Sequence, residues 1–351
     1  MEDAALRALF VPFDNRDLAV PAGPVAFLRA RAGIALQAFV HTWRQAKLVA
    51  EQTFRPVADE LMANGIETVG AVNGSFPLVL VLPARQRDEA RAQLARALAL
   101  AQPGGTVVAS VANAEGAKSI EGDFRRLVSD VQVISKHKCR VMWARNDAAC
   151  VDTAQRDAWI AQDQPQPIAQ GRFLSRPGVF AWDRIDLASQ LLAEQLPTDL
   201  SGQGADLGAG YGFLSAEVVR QCPRVTGLHL YEAEQRALEL ARVNLPGALA
   251  AAGRMDVAMD YFWHDVAKGL PHRYDFVVMN PPFHVGRIDV PELGRAFVRA
   301  AAAALRGGGR LLLVANRHLP YEQTLAEQFG EVRVLADAQG FKVISARKAA
   351  V

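Results

Sequence analysis

"ADLGAGYGFLS", Ala205–Ser215, decides what kind of sheet the second half of this chain builds. A short apolar run, Ala205-Asp206-Leu207, leads into glycines at 208, 210 and 212, and Leu214–Arg220 continues with helical periodicity. Strand, glycine turn and helix in that order begin a βαβ unit. The missing Cβ atoms let the backbone turn tightly and let a ligand approach it. A dinucleotide fingerprint needs its third glycine three positions after the second, and residue 213 is Phe. Here the spacing is G-x-G-x-G, with Asp206 two residues before the first glycine. A carboxylate at that point repels a pyrophosphate and suits a cation. S-adenosylmethionine carries an ammonium and a sulfonium and no phosphate, so it fits; a purely structural turn is the alternative.

Working outward, Val225–Tyr231, Val257–Phe262, Asp275–Met279 and Arg310–Ala315 read as further strands, and Glu234–Asn244 and Glu292–Leu305 as helices. Alternating strands and helices predict a mostly parallel sheet covered on both faces. Glu232 ends the strand after the glycine loop, 20 residues beyond Gly212. An acid there accepts ribose hydroxyls, or simply complements the next helix dipole. Asp265 follows the third strand. Its carboxylate suits an adenine amine and Val266 suits the ring, while an ordinary loop acid is the plain reading.

"MNPPFH", Met279–His284, ends the fourth strand. Proline is excluded from central strands, so Pro281 and Pro282 stop the strand and stiffen the loop. The Asn280 side-chain oxygen and the Pro281 carbonyl are then two fixed acceptors. They match the two hydrogens of an exocyclic amine and turn its lone pair toward a methyl donor without a strong base. Phe283 offers a face on which a planar base can stack. A bare strand-ending turn is the competing reading.

The length, 351 residues, suits two domains. The polar, proline-marked stretch Gln162–Pro167 reads as a linker, which divides the chain into a domain over 1–165 and another over 170–351. "LVLVLPARQRDEARAQLARALALAQPGGTVVAS" from Leu78 echoes the segment from Phe276: strand, proline, alanine-rich helix, glycine turn, strand. This predicts a duplicated α/β unit. The first copy has Val81-Leu82-Pro83 where the second has Met279-Asn280-Pro281-Pro282, and only Gly70–Gly74 as a poor glycine loop.

Formal charge is +2, with 39 Lys and Arg against 37 Asp and Glu, so any nucleic-acid contact must come from local patches. Lys136, Lys138 and Arg140 form one such patch; a solvated strand edge is equally consistent with them. Three scattered cysteines have no metal spacing, which points to a reducing cytoplasm and no metal site. No apolar run reaches the ~18 residues of a membrane span, and the acidic start, Met1–Ala4, is not a signal peptide pattern.

With these motifs in place, the sequence resembles the bacterial ribosomal RNA guanine-N2 methyltransferases of the RsmC/RlmG type. "GVFAWDRIDLASQLL" is similar to that family's leading segment, "ADLGAGYGFLS" to its cofactor loop, "NPPFH" to its catalytic tetrapeptide with the following histidine, and "RLLLVANRHLPYEQTLAEQFG" and "GFKV" to its closing segments. The resemblance implies two tandem Rossmann-like class I methyltransferase domains. In these the amino-terminal copy is degenerate and serves RNA recognition, while the carboxyl-terminal copy is active. It implies donor contacts at Asp206, Gly208, Gly210, Gly212, Glu232, Asp265 and Val266, with Phe180 and Asp186 beside them, and catalysis at Asn280 with Pro281, Pro282 and Phe283. The donor is S-adenosyl-L-methionine and the product S-adenosyl-L-homocysteine. His284 and Lys342 join Lys136, Lys138 and Arg140 as candidate RNA contacts. The substrate is ribosomal RNA, free or in a subunit, with small-subunit RNA expected ahead of large-subunit RNA, and the enzyme is expected as a monomer. Ala209, Ala188 and Tyr211 depart from the family's usual Cys, Gly and smaller residue. Adenine-N6 and protein-glutamine methyltransferases share Asn-Pro-Pro but favour Tyr over Phe. A non-catalytic RNA-binding scaffold would not need Asp206, Glu232 and Asn280 together.

Overall fold

The computed structural model describes residues 3–282, 284–285, 288–289 and 291–350. The chain forms two compact units, Met1–Gln164 with Arg176–Gly178, and Pro165–Ser175 with Val179–Val351. Each contains a seven-stranded sheet. In the first unit the strands are β1 (Gly23–Leu28), β2 (Ala46–Glu51), β3 (Glu67–Val69), β4 (Phe76–Val81), β5 (Ala101–Ala112), β6 (Gln132–Lys136) and β7 (Cys139–Arg145), with α1 (Arg87–Leu100) joining β4 to β5. In the second they are β8 (Ser201–Leu207), β9 (Arg224–Glu232), β10 (Ala258–Trp263), β11 (Tyr274–Met279), β12 (Leu305–Asn316), β13 (Glu331–Ala338) and β14 (Phe341–Arg347). The spatial orders are β3-β2-β1-β4-β5-β7-β6 and β10-β9-β8-β11-β12-β14-β13, the same pattern twice. Within each seven-stranded sheet one strand, β7 or β14, runs opposite to the other six. The expected duplication is therefore present: one α/β strand order occurs twice along the chain.

The runs Leu78–Val81 of β4 and Phe276–Met279 of β11 are apolar without alternation because helices cover both faces of each sheet. On β4, Val79 and Val81 enter one core while Leu78 and Leu80 enter the other. On β11, Phe276 and Val278 face one core, Val277 and Met279 the other. In the second unit the helices that position the site are α2 (Leu187–Glu194), α3 (Phe213–Gln221), α4 (Gln235–Ala252) and α5 (Pro291–Ala304). The sequence reading ends this helix at Asn244, and proline is disfavoured in helix interiors. The helix instead runs through Pro246 to Ala252 and ends on left-handed Gly253. Leu238, Leu245 and Leu249 hold both halves of it in one core, so tertiary packing outweighs the lost hydrogen bond.

Among the described residues no helix is long and apolar enough to cross a membrane. Gly204 on β8 pairs with Phe276 on β11, and a Cβ added there would sit 2.1 Å from the Phe276 ring. Gly204→Ala is expected to lower stability by about 1–3 kcal/mol through overpacking. Urea unfolding would show a lower midpoint, and an unchanged midpoint would contradict the close packing.

Candidate active site

The register Leu207↔Met279 sets the carboxyl ends of β8 and β11 side by side. The chain leaves β8 toward β9 on one side and β11 toward β12 on the other, so this is the sheet's topological switch point, where open α/β sheets bind ligands. The glycine loop and Asn280 meet here. A Cβ on Gly208 would lie 3.8 Å from the Asn280 carbonyl oxygen. All three loop glycines have positive φ, at 76°, 56° and 94°. Gly212 also lies against α4, where an added Cβ would be 3.3 Å from Leu245. A Cβ on Gly210 would meet nothing within 4 Å and would project into open space. The pocket at this place is lined by Phe180, Asp186, Ser189, Gly208, Gly210, Tyr211 and Asn280, among others.

Asp206 is fully buried at the end of β8. Its Oδ2 accepts from the Ser215 hydroxyl of α3 at 2.7 Å, and its Oδ1 has no partner. Burial pushes this carboxyl up to about 7; the Ser215 hydrogen bond opposes the shift and the Glu232 charge adds to it. An unpartnered, buried carboxylate oxygen beside an open glycine loop fits a cationic group, as S-adenosylmethionine presents. Glu232 ends β9. Its Oε2 accepts from the Gly210 N–H and its Oε1 from the Glu234 N–H, both at 2.8 Å. Each oxygen keeps a second lone pair for a hydroxyl. Burial raises its pKa, and the backbone donors at Glu234 and Gly210 partly offset that. Asp265 caps a short turn by accepting from the Ala267 N–H at 3.0 Å, and Val266 beside it is buried.

Asn280 is half-buried just past β11. Its amide nitrogen donates to Asp186 Oδ2 at 3.0 Å and to Ser189 Oγ at 2.9 Å. Asp186 also caps α2 by accepting from the Ser189 N–H at 2.8 Å. The sequence places Asp186 beside the donor; the structure also makes it a partner of Asn280. Ser189, which the sequence reading passes over, is visible there only as the third helical residue after a capping Asp. Pro281 is buried, Pro282 and Phe180 are exposed. Phe283 and the His284 side chain lie outside the described residues. Tyr211 is buried, and its hydroxyl donates to the Arg184 carbonyl at 3.2 Å. Burial and the Asp186 charge push its phenol up to about 12. Asn244 of α4, also missed from sequence, donates to the Tyr211 and Leu174 carbonyls at 3.0 Å and accepts from the Leu174 N–H at 2.8 Å. It ties the glycine loop to the hairpin Gln166–Ile168/Phe173–Ser175.

The first unit shows what replaces such a site. Leu28↔Val81 corresponds to Leu207↔Met279. The Ala30 N–H bonds the Glu51 carbonyl as the Ala209 N–H bonds that of Tyr231. The counterpart of the glycine loop is therefore Arg29–Gly33, not Gly70–Gly74. Phe27 stands for Asp206, Arg29 for Gly208, Arg31 for Gly210, Gln52 for Glu232 and Leu82 for Asn280. Gln52 Oε1 accepts from the Phe54 N–H at 2.9 Å, as Glu232 does from Glu234, but its amide donates to the Ala30 carbonyl at 2.7 Å. The Arg31 guanidinium bonds Asp3. Protein groups satisfy one another where the second unit leaves acceptors open.

The candidate RNA contacts divide. Lys136 and Lys138 are exposed at the β6–β7 turn, where His137 and Lys138 both have positive φ. Arg140 bonds Glu121, and Lys342 bonds Glu322 at 2.7 Å, so both have carboxylate partners.

Two outcomes follow for the donor. In the free protein Asp206 holds its proton to about pH 7, whereas an unfolded chain releases it near 3.8. Its burial therefore costs stability progressively as pH rises through that window. A bound cation favours the ionised form. Donor affinity should rise as pH approaches 7 from below, with proton release on binding, and Asp206→Asn should lose that dependence. Calorimetry in buffers of different ionisation heat would show it; pH-independent binding would refute it. Gly210→Ala should fold, at a backbone cost of about 1–2 kcal/mol, yet lose donor affinity because its methyl enters the open space. An unchanged dissociation constant in the folded variant would contradict that placement.

A family model described as "Methyltransferase small domain" matches residues 170–345. The ribosomal RNA small subunit methyltransferase C of Klebsiella pneumoniae is 32% identical over 259 residues, covering 74% of this chain and 72% of that protein. Its counterpart in Escherichia coli strain 55989 is 30% identical over 292 residues, 83% of this chain and 81% of that protein. Among solved structures, the T. thermophilus 16S rRNA N2 G1207 methyltransferase (RsmC), in complex with AdoMet and guanosine, superposes with a TM-score of 0.77 at 27% identity, covering 99% of this chain and 92% of that one. The likeness to that structure spans both sheets, and the family model covers the unit that carries the open acceptors. On sequence and fold together, the chain belongs to the ribosomal RNA small subunit methyltransferase C family of S-adenosylmethionine-dependent enzymes.

Proposed function

We propose that this enzyme methylates the exocyclic N2 amine of a guanine in 16S ribosomal RNA, with S-adenosyl-L-methionine as donor. The observation that carries the reading is Asn280 at the switch point, its amide nitrogen occupied by Asp186 and Ser189 and its oxygen left for a ligand. The AdoMet and guanosine bound to the T. thermophilus relative support the same pair of ligands here.

When bound, the donor supplies an electrophilic methyl group on a sulfonium. The chain's own part is orientation and electrostatics. Asn280 Oδ1 and the Pro281 carbonyl accept the two amine hydrogens, which turns the nitrogen lone pair out of conjugation and toward the glycine loop. The same two acceptors stabilise positive charge that develops on nitrogen. The proton can leave to water afterwards, so no buried base is needed. Asp206 and Glu232 hold the donor's cationic and ribose ends, Asp265 and Val266 its adenine, and Phe283 stacks on the extruded guanine. The first unit, without donor chemistry of its own, recognises the RNA, with Lys136 and Lys138 as phosphate contacts. The enzyme works in the cytoplasm as a monomer.

Single-turnover assays with 16S RNA, free and in assembled subunits, should show Asn280→Ala losing roughly 10²-fold or more in methyl-transfer rate with donor affinity nearly unchanged. A full rate in that variant would mean the loop is only a turn. Lys136→Glu with Lys138→Glu should instead weaken RNA binding and flatten its salt dependence by about two counterions. An unchanged salt slope would remove that hairpin from the RNA interface.

A further inference from the structure

We infer that Ser189 and Asp186 are positioning residues for methyl transfer: together they fix which way the Asn280 carboxamide points. The inference rests on the proposed amine chemistry. A carboxamide carries two N–H bonds, and both acceptors needed for them are present, Asp186 Oδ2 at 3.0 Å and Ser189 Oγ at 2.9 Å. The oxygen must then face away from α2, toward the open side of the pocket. Turning the amide over would forfeit a hydrogen bond to a charged group and set Asn280 Oδ1 against the Asp186 carboxylate. Charge-assisted bonds of this kind are the stronger ones. A carboxylate behind the amide also polarises it and makes its oxygen a better acceptor.

Two further features make the clamp rigid. Ser189 is buried, and its backbone N–H is itself bonded to Asp186 Oδ2 at 2.8 Å, so the capping turn of α2 presents both acceptors as one unit. Asn280 lies between buried Met279 and buried Pro281, in a stiff stretch of backbone. The side-chain torsion is thus left to the clamp. The first unit has Leu82 at the corresponding place, which needs no such partner.

The test combines activity with a readout that needs no substrate. Ser189→Ala should lower the single-turnover rate about tenfold, the equivalent of ~1.4 kcal/mol, with the donor dissociation constant within about twofold of wild type. Ser189→Thr, which keeps the hydroxyl, should restore most of the rate. Asn280→Asp places two carboxylates together, and adding Asp186→Asn restores a donor–acceptor pair with its polarity reversed. The double variant should therefore transfer methyl at least several-fold faster than Asn280→Asp alone. In the donor-free protein, the side-chain amide NMR signal of Asn280, identified by its loss in Asn280→Asp, should lose exchange protection in Ser189→Ala. A wild-type rate and unchanged protection in Ser189→Ala would overturn the inference. So would a double variant no faster than Asn280→Asp, an arm that decides the matter even where Ser189→Ala fails to fold. A wild-type enzyme that leaves guanine N2 unmethylated would count against the function instead, and the NMR result would still decide the clamp.

Discussion

Parallel pairing of β8 with β11 is the constraint from which the site follows. The register Leu207↔Met279 delivers a glycine loop and an Asn-Pro-Pro turn to the same edge of the sheet. The pocket at this edge needs both, since Gly208, Gly210 and Asn280 line it together. The pairing is held by burial on both faces: Val277 and Val278 lie in different cores and are fully excluded from water. Glycine at 204 lets the Phe276 ring lie across β8, so the strands that carry the chemistry are locked a few residues before they end. Catalytic geometry is thereby set by the sheet, with loops adding only short, stiff extensions.

The two units show how differently one strand order can fill the same positions. Both sheets have one strand order. At the place where Asp206 leaves an oxygen without a partner, the first unit puts Phe27; where Glu232 accepts from the Gly210 N–H, Gln52 donates to the Ala30 carbonyl. A buried polar group without a partner is costly. At these matched positions the first unit avoids that cost, whereas the second carries it in the free protein, visible in the raised pKa of Asp206. This is the usual relation between a binding site and the stability of the protein around it.

Much of the second unit was legible from sequence because its signals are local. Glycine spacing, the acid ending β9 and the proline pair each report on a few neighbouring residues, and the strands and helices they imply were found where expected. The duplication was legible from the strand–proline–helix–glycine echo. What escaped was long-range or context-dependent. Nothing near Asn280 announces that Asp186 and Ser189, more than ninety residues earlier, hold its amide. Asn244 reads only as the end of a helix, though it is buried and bonds both the glycine loop and the hairpin strand at Leu174. The helix read as ending at Asn244 continues through Pro246, because core contacts on both sides outweigh the lost hydrogen bond. The corresponding loop, Arg29–Gly33, was hidden because it holds arginines at 29 and 31, where the second unit has the glycines that make such a loop recognisable.

The central claim, that this fold delivers a methyl group to guanine N2 of small-subunit RNA, is tested most directly in cells. Ribosomal RNA nucleosides would be mass-mapped with the gene intact, deleted, and restored as wild type or Asn280→Ala. Loss of one N2-methylguanosine from 16S RNA on deletion, returned by the wild-type gene and not by Asn280→Ala, is the predicted result. An unchanged 16S map, or full restoration by Asn280→Ala, would contradict it.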